Sequence, residues 1–225
     1  MRTLKSVKPL MHFYYPEASK KGKKIRIDEY FYITNSLNDY IIAKNFEAKH
    51  YAESDKSEFK KSLKKNNNDR YYIIFDVDFK NKRDINKVRD DLKKNTREFI
   101  KLANQKSNDL KIILSSRAFE TYLNMFNRQQ YTKPYFDMNQ LMKDIIIGAP
   151  YSKHESWYEI NAKELHDNSF DTYIPIQNSR AIVFQNNHSP IRNHNVPDYF
   201  NDSHVNFLAS TAPYTYFDLL LNDLM

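Results

Sequence analysis

Residues 71–78 read YYIIFDVD, and this stretch decides how the chain is understood. Aromatic and aliphatic residues follow one another without a polar break and end in Asp76-Val77-Asp78. Such a short apolar run between polar loops is the mark of a parallel strand covered on both faces. Upstream, Leu10 to Tyr15 is a second run of this kind, stopped by Pro16, and Phe46 to Ala52 is expected to form a short strand. Downstream, Leu110 to Leu114 (LKIIL) is a further buried strand.

Helical periodicity fills the gaps between these runs. Asp28 to Lys44 carries Phe31, Leu37, Tyr40 and Ile41 at helical spacing, with Asp28 as cap and Glu29 in the first turn. Asp55 and Glu58 have capping-box spacing ahead of a basic helix that stops at Asn66-Asn67-Asn68. After Asp84 a long amphipathic helix places Val88, Leu92, Phe99, Leu102 and Ala103 on one stripe. Ser115-Ser116 is expected to cap a helix bearing Ala118, Phe119, Tyr122, Leu123 and Phe126. Strands alternating with helices predict an α/β fold with a central, mostly parallel sheet. We place this domain at 1–130. A mainly helical extension over 131–225 is expected to pack on the same core, with helices near 137–146 and 155–168. A last helix is expected from Pro213 to Leu224, with Pro213 in its first position.

Composition removes several classes of function. The 225 residues include no cysteine, which excludes thiolate metal sites, Fe–S clusters and cysteine nucleophiles. Two glycines, Gly22 and Gly148, cannot build a Walker loop or a dinucleotide-binding turn. Lys and Arg exceed Asp and Glu by 35 − 28 = 7, a balance that favours a polyanionic partner such as DNA or RNA. No run approaches the ~18 apolar residues of a spanning helix, so no membrane partner is expected. The N-terminal apolar patch reads as a strand rather than a signal peptide, which makes a cytoplasmic location the default.

Ligands of parallel α/β sheets gather at the carboxyl ends of the strands. Glu17 follows the first strand, Asp76 and Asp78 end the central one, and Glu120 follows LKIIL. Asp76 and Asp78, two apart on a strand, project to one face and repel each other unless a cation lies between them. Hard oxygen ligands of this kind suit Mg²⁺ or Mn²⁺. Lys80 and Arg83 follow directly, and the runs Lys20–Lys24 and Lys60–Lys65 are basic, so Lys20, Lys21, Lys80 and Arg83 are the candidate phosphate contacts. A solvated loop explains Lys80 and Arg83 equally well, and a solvated face is the commoner explanation of the two basic runs. His12 reads as a core or edge residue, and His188 and His194 as members of a polar loop.

Three segments resemble the RloB-like family of Toprim-domain proteins. HFYYPEASKKGKKIRIDEYF (residues 12–31) is similar to an apolar strand ending in the Toprim glutamate, here Glu17, with Glu29, Tyr30 and Phe31 matching later positions. YYIIFDVDFK matches a strand ending in Asp-x-Asp, and SSRAFETYLNMF matches a Ser…Phe-Glu segment through Ser115, Phe119, Glu120 and Phe126. Pro213 and Thr215 match the lead into the family's final helix. Ala18 stands where the family has glycine, Ser116-Arg117 where it has Asn-Pro, and Tyr122 where it has tryptophan.

The resemblance implies a Rossmann-like Toprim fold and Mg²⁺- or Mn²⁺-dependent cleavage of phosphodiester bonds in bacterial or phage-encoded defence. Glu17, Asp76, Asp78 and Glu120 would then be catalytic, the first three of them metal ligands. A partner protein of the defence system, or a second copy of the chain, would be the protein partner. A competing reading keeps the fold and the charge but not turnover, leaving a nucleic-acid-binding or sensor subunit. A haloacid-dehalogenase-type phosphatase also places Asp-x-Asp after an apolar strand, but Lys80 occupies the position where that family has Thr or Val.

Overall fold

The alternation in residues 71–75 sorts side chains to two sides of a sheet. A computed structural model describes residues 8–22, 24–65, 68–76, 85–116, 119–124, 150–162 and 214–224. In chain order it runs from β1 (Leu10–Tyr14) through a small hairpin of β2 (Lys20–Lys21) and β3 (Lys24–Ile25) to α1 (Asp28–Tyr32). One π-helical turn, Ile33–Leu37, joins α1 to α2 (Asn38–Ala43). Then come β4 (Glu47–Tyr51), α3 (Lys56–Leu63), β5 (Arg70–Asp76), α4 (Ile85–Lys106), β6 (Asp109–Ser116) and α5 (Glu120–Asn124). The last described elements are α6 (Glu155–Trp157), which runs on as a π-helical turn Tyr158–Ala162, then β7 (Tyr214–Thr215) and α7 (Asp218–Leu224).

The main sheet has the order β4-β1-β5-β6-β7. The first four strands are parallel, and β7 pairs antiparallel with β6 through Ser115–Thr215 and Ser116–Tyr214. Two-residue periodicity divides the core. Phe13, Tyr72, Ile74 and Ile113 face α1, α2, α5, α6 and α7. Tyr14, Tyr71, Ile73, Phe75, Ile112 and Leu114 face Phe59 and Leu63 of α3 and Phe99, Ile100 and Ala103 of α4. Continuous apolar strands are what a sheet with both faces covered requires. Asp76 keeps the step of Tyr72 and Ile74, so its side chain falls on the α1 and α5 side.

Helix ends differ from the sequence reading in instructive ways. Asp28 makes no cap hydrogen bond, because its carboxylate turns to Tyr151 and Lys153. Asp55 does not cap α3. Its Oδ2 accepts from the Ala52 backbone N–H at 2.8 Å and pairs with Lys20 at 2.5 Å, while Glu58 reaches out to Lys49. Ser115 and Ser116 still belong to β6, and Ser115 hydrogen-bonds Thr215 across the antiparallel seam at 2.9 Å. The final helix begins at Asp218 rather than near Pro213, since Tyr214 and Thr215 are drawn into that seam. Leu102 is half-buried beside buried Phe99 and Ala103, as the stripe on α4 requires. Pro213, the side chains of Val88 and Leu92, Ala118, Phe126 and the helix expected near 137–146 lie outside the described residues.

The α2 and α4 ends use left-handed residues, Asn45 at φ 62° and Ser107 at φ 53°, so that the following N–H groups can bond back to Ile41 and Ala103. Gly22, at φ 66°, makes the same turn between β2 and β3. Asn108, next after Ser107, is buried and donates from Nδ2 to the carbonyls of Leu63 and Lys65, closing the end of α3. Asn108→Ala leaves both carbonyls short of a donor. We expect a loss of about 1–3 kcal/mol in urea unfolding with the slope unchanged. A variant as stable as the parent would show that water replaces the amide.

Candidate metal centre

The parallel strands are arranged so that β1 has its chain successor β4 on one side and β5 on the other. The winding therefore reverses between β1 and β5, and such a reversal opens a crevice at the carboxyl ends. Glu17 lies just past β1, Asp76 is the last residue of β5, and Glu120 opens α5 after β6. Helix α1 adds Asp28 and Glu29 from the face on which Asp76 points.

These carboxyl groups sense one another. Asp76 is held well above the ordinary carboxylate range, first by burial and then by the negative charges of Glu29, Glu120 and Glu17. Glu29 is pushed up to about 8, again by burial, with Asp28, Glu120 and Glu17 adding to it. Asp28 is raised by burial against the opposing pull of Lys153. Three oxygens from three segments are enclosed without a hydrogen-bond partner: Glu29 Oε2, Asp76 Oδ1 and Glu120 Oε2. Glu29 and Glu120 are only 2% and 0% exposed, so bulk solvent does not reach them.

A strap over residues 150–155 closes one side. The Tyr151 hydroxyl lies 3.3 Å from Asp28 Oδ2, 3.4 Å from Glu120 Oε1 and 3.0 Å from the Tyr158 hydroxyl. Lys153 Nζ stands 2.5 Å from Glu120 Oε1 and 3.5 Å from Asp28 Oδ2. Those carboxylates hold Lys153 up at about 12 against its own burial. Lys24 pins the strap through Glu155 at 2.5 Å. Beside it lies a cavity of about 440 Å³ lined by Arg26, Asp28, Phe31 and Lys153. Lys153 alone cannot satisfy Asp28, Glu29, Asp76 and Glu120, and an acidic, oxygen-rich pocket with orphaned atoms is chemically suited to a hard cation. Among the described residues, no three acidic or imidazole groups already stand at the spacing of a metal cage.

The residues nominated from sequence fall in different places. Asp76 and Glu120 share the buried cluster, and Glu17, exposed on the surface, lies within electrostatic reach of both Glu29 and Asp76. Lys20 is committed to Asp55, and Lys21 is exposed on β2. Asp78, Lys80, Arg83, His188 and His194 lie outside the described residues. His12 is buried with both ring nitrogens hydrogen-bonded.

The sequence does not mark Asp28, Tyr151 or Lys153 as site residues, and it marks Glu29 only as a motif match. An acidic pair opening a helix has an ordinary explanation in the helix dipole, which hid Asp28 and Glu29. Nothing periodic marks Tyr151 or Lys153. No family model, curated protein or solved structure matches the chain.

Proposed function

We propose that the carboxyl cluster binds Mg²⁺ or Mn²⁺ and that the protein hydrolyses phosphodiester bonds of DNA or RNA, in bacterial or phage-encoded defence. The observation that carries this reading is the trio of enclosed, partnerless oxygens on Glu29, Asp76 and Glu120 at the strand ends. A buried oxygen without a partner is expensive, and coordination of a cation is one of the few things that compensates it. Asp76 and Glu17, with Asp78 completing the Asp-x-Asp pair, would hold the ion, and Glu120 and Glu29 would share its charge. When bound, the metal would neutralise phosphate charge and lower the pKa of an attacking water. Lys153 lines the neighbouring cavity and carries positive charge to the mouth of the cluster, where the carboxylates would otherwise repel a phosphate.

The test uses the full chain with end-labelled DNA and RNA, with and without Mn²⁺, alongside calorimetric titration of Mn²⁺. Uptake of the ion and cleavage are expected, with at least a 100-fold loss of cleavage in Asp76→Ala. One observation favours the rival reading of a non-catalytic binding or sensor subunit. Lys153 already occupies the Glu120 carboxylate, in the manner of a built-in counter-ion. Nucleic-acid binding without cleavage, unaltered by Asp76→Ala, would establish that rival.

A further inference from the structure

We infer that the opposite end of the sheet carries a second binding site, for a phosphate-bearing ligand, in the basic pocket between the start of β1 and helix α3. This inference does not rest on metal chemistry. The pocket is a cavity of about 650 Å³, within the usual range for small-ligand sites. It sits where β1 and β5 begin, whereas the carboxyl cluster sits where they end. The six steps of β5 from Arg70 to Asp76 separate the two by about 20 Å.

The lining is charged in an uneven way. Lys8, Lys49, Lys61 and Lys65 face Glu58 and Asp69, a formal balance of 4 − 2 = +2. Both acids are already engaged. Glu58 pairs with Lys49 at 2.7 Å. Asp69 accepts from the Leu10 backbone N–H at 2.8 Å through Oδ1 and meets His12 Nε2 at 2.9 Å through Oδ2. Lys8 comes from the lead into β1 and Lys61 and Lys65 from the end of α3, and none of them has a carboxylate within ion-pair distance among the described residues. Three convergent ammonium groups around a cavity repel one another until an anion enters. A single carboxylate would leave the balance positive, whereas a phosphate dianion or two consecutive phosphodiesters would close it.

The floor is preorganised. An ionised carboxylate only accepts, so His12 donates from Nε2 to Asp69 and its Nδ1 accepts from the Tyr51 hydroxyl at 2.8 Å. The imidazole is stacked on Tyr71 with ring centroids 4.5 Å apart. This buried chain holds the Tyr51 ring and Asp69 rigid beneath the lysines, so a ligand meets a site that needs little ordering. The phosphate could belong to a free nucleotide or to a nucleic-acid strand, and the two sources are separable by experiment.

The full chain, isotopically labelled, is titrated with AMP and separately with a 12-nucleotide single-stranded DNA, following the His12 ring resonances. The comparison set is Lys61→Glu/Lys65→Glu and, as a charge-matched control, Lys44→Glu/Lys101→Glu, whose positions are exposed and do not line the cavity. The His12 signals are expected to shift on titration. Affinity should fall at least tenfold in the pocket variant and no more than twofold in the control. A response to AMP assigns a nucleotide, and a response to the oligonucleotide alone assigns a strand. Unmoved His12 signals with both probes, or equal losses in the two double variants, would overturn the inference. Mn²⁺ uptake by the carboxyl cluster, measured on the same variants, should not change, so failure here leaves the metal reading standing and the reverse also holds.

Discussion

Asp76→Asn should melt at a higher temperature than the parent protein when metal is removed, and should lose the stabilisation that Mn²⁺ gives the parent. The reason lies in what Asp76 endures without metal. Its carboxyl is hemmed in by Glu29, Glu120 and Glu17, its Oδ1 has no partner, and the Phe119 backbone N–H offers partial relief. The amide has nearly the same shape and no charge, so the substitution removes the repulsion while keeping the packing. For a chain of this size ~1 kcal/mol moves the midpoint by roughly 2–4 °C, and a gain of about 3 °C or more is expected. Ligand linkage then separates a metal site from a structural acid. Saturating Mn²⁺ should raise the midpoint of the parent and leave Asp76→Asn unmoved. A carboxylate kept for the fold alone would behave in the opposite way, with the amide variant less stable and metal without effect on either protein.

The second large effect concerns pH. Glu29 ordinarily titrates near 4.5 and is pushed up to about 8 in the fold. Between those values the folded chain holds a proton that the unfolded chain has released, so stability falls as pH rises through that window. Asp76 and Asp28, both raised, act in the same sense. His50 acts in the other sense. Burial lowers it from 6.5 to about 4, so its contribution is lost as pH falls below 6.5 and is complete above it. His12, also lowered by burial, sides with His50. The two groups of residues therefore oppose each other below pH 6.5, and only the carboxyl groups remain above it. With chelator present, the folding equilibrium constant is expected to drop about tenfold or more between pH 6.5 and 8, equivalent to about 1.4 kcal/mol. Mn²⁺ at pH 8 should restore most of it. A flat or rising urea midpoint across that interval in the metal-free protein would contradict the burial of these acids as ionisable groups.

Much of this architecture is legible in the residues because one constraint dominates it. A parallel strand covered twice must be apolar throughout, and YYIIF can be little else. The two-residue step then carries Asp76 to the side of Ile74, which brings the aspartate to the carboxyl cluster as soon as the neighbouring helix is known. What local pattern cannot convey is competition between partners. Asp55 has the spacing of a cap, yet the Ala52 amide and Lys20 claim it. Ser115 has the composition of a cap, yet Thr215, a hundred residues on, offers a buried hydroxyl. Lys153 has no periodic signature whatever, since its position is set by Tyr158 packing against Phe31, by Trp157 against Tyr151 and by Lys24 gripping Glu155. Long-range claims of this kind decide the site, and they are invisible within any window of a dozen residues.

Helix α7 ties the beginnings of the central strands to the far end of the described chain. Asp223 receives the Tyr72 hydroxyl at 2.6 Å, pairs with Lys111, and meets the Arg70 guanidinium through its side chain at 3.4 Å and its carbonyl at 3.1 Å. Leu220, Leu221 and Leu224 meanwhile seal the Tyr72 and Ile74 side of the sheet. A nascent polypeptide still short of residue 224 on the ribosome would leave that side of the sheet uncovered and Arg70 and Lys111 without the Asp223 carboxylate. Closure of the sheet is therefore expected to wait until that segment has been synthesised and has docked.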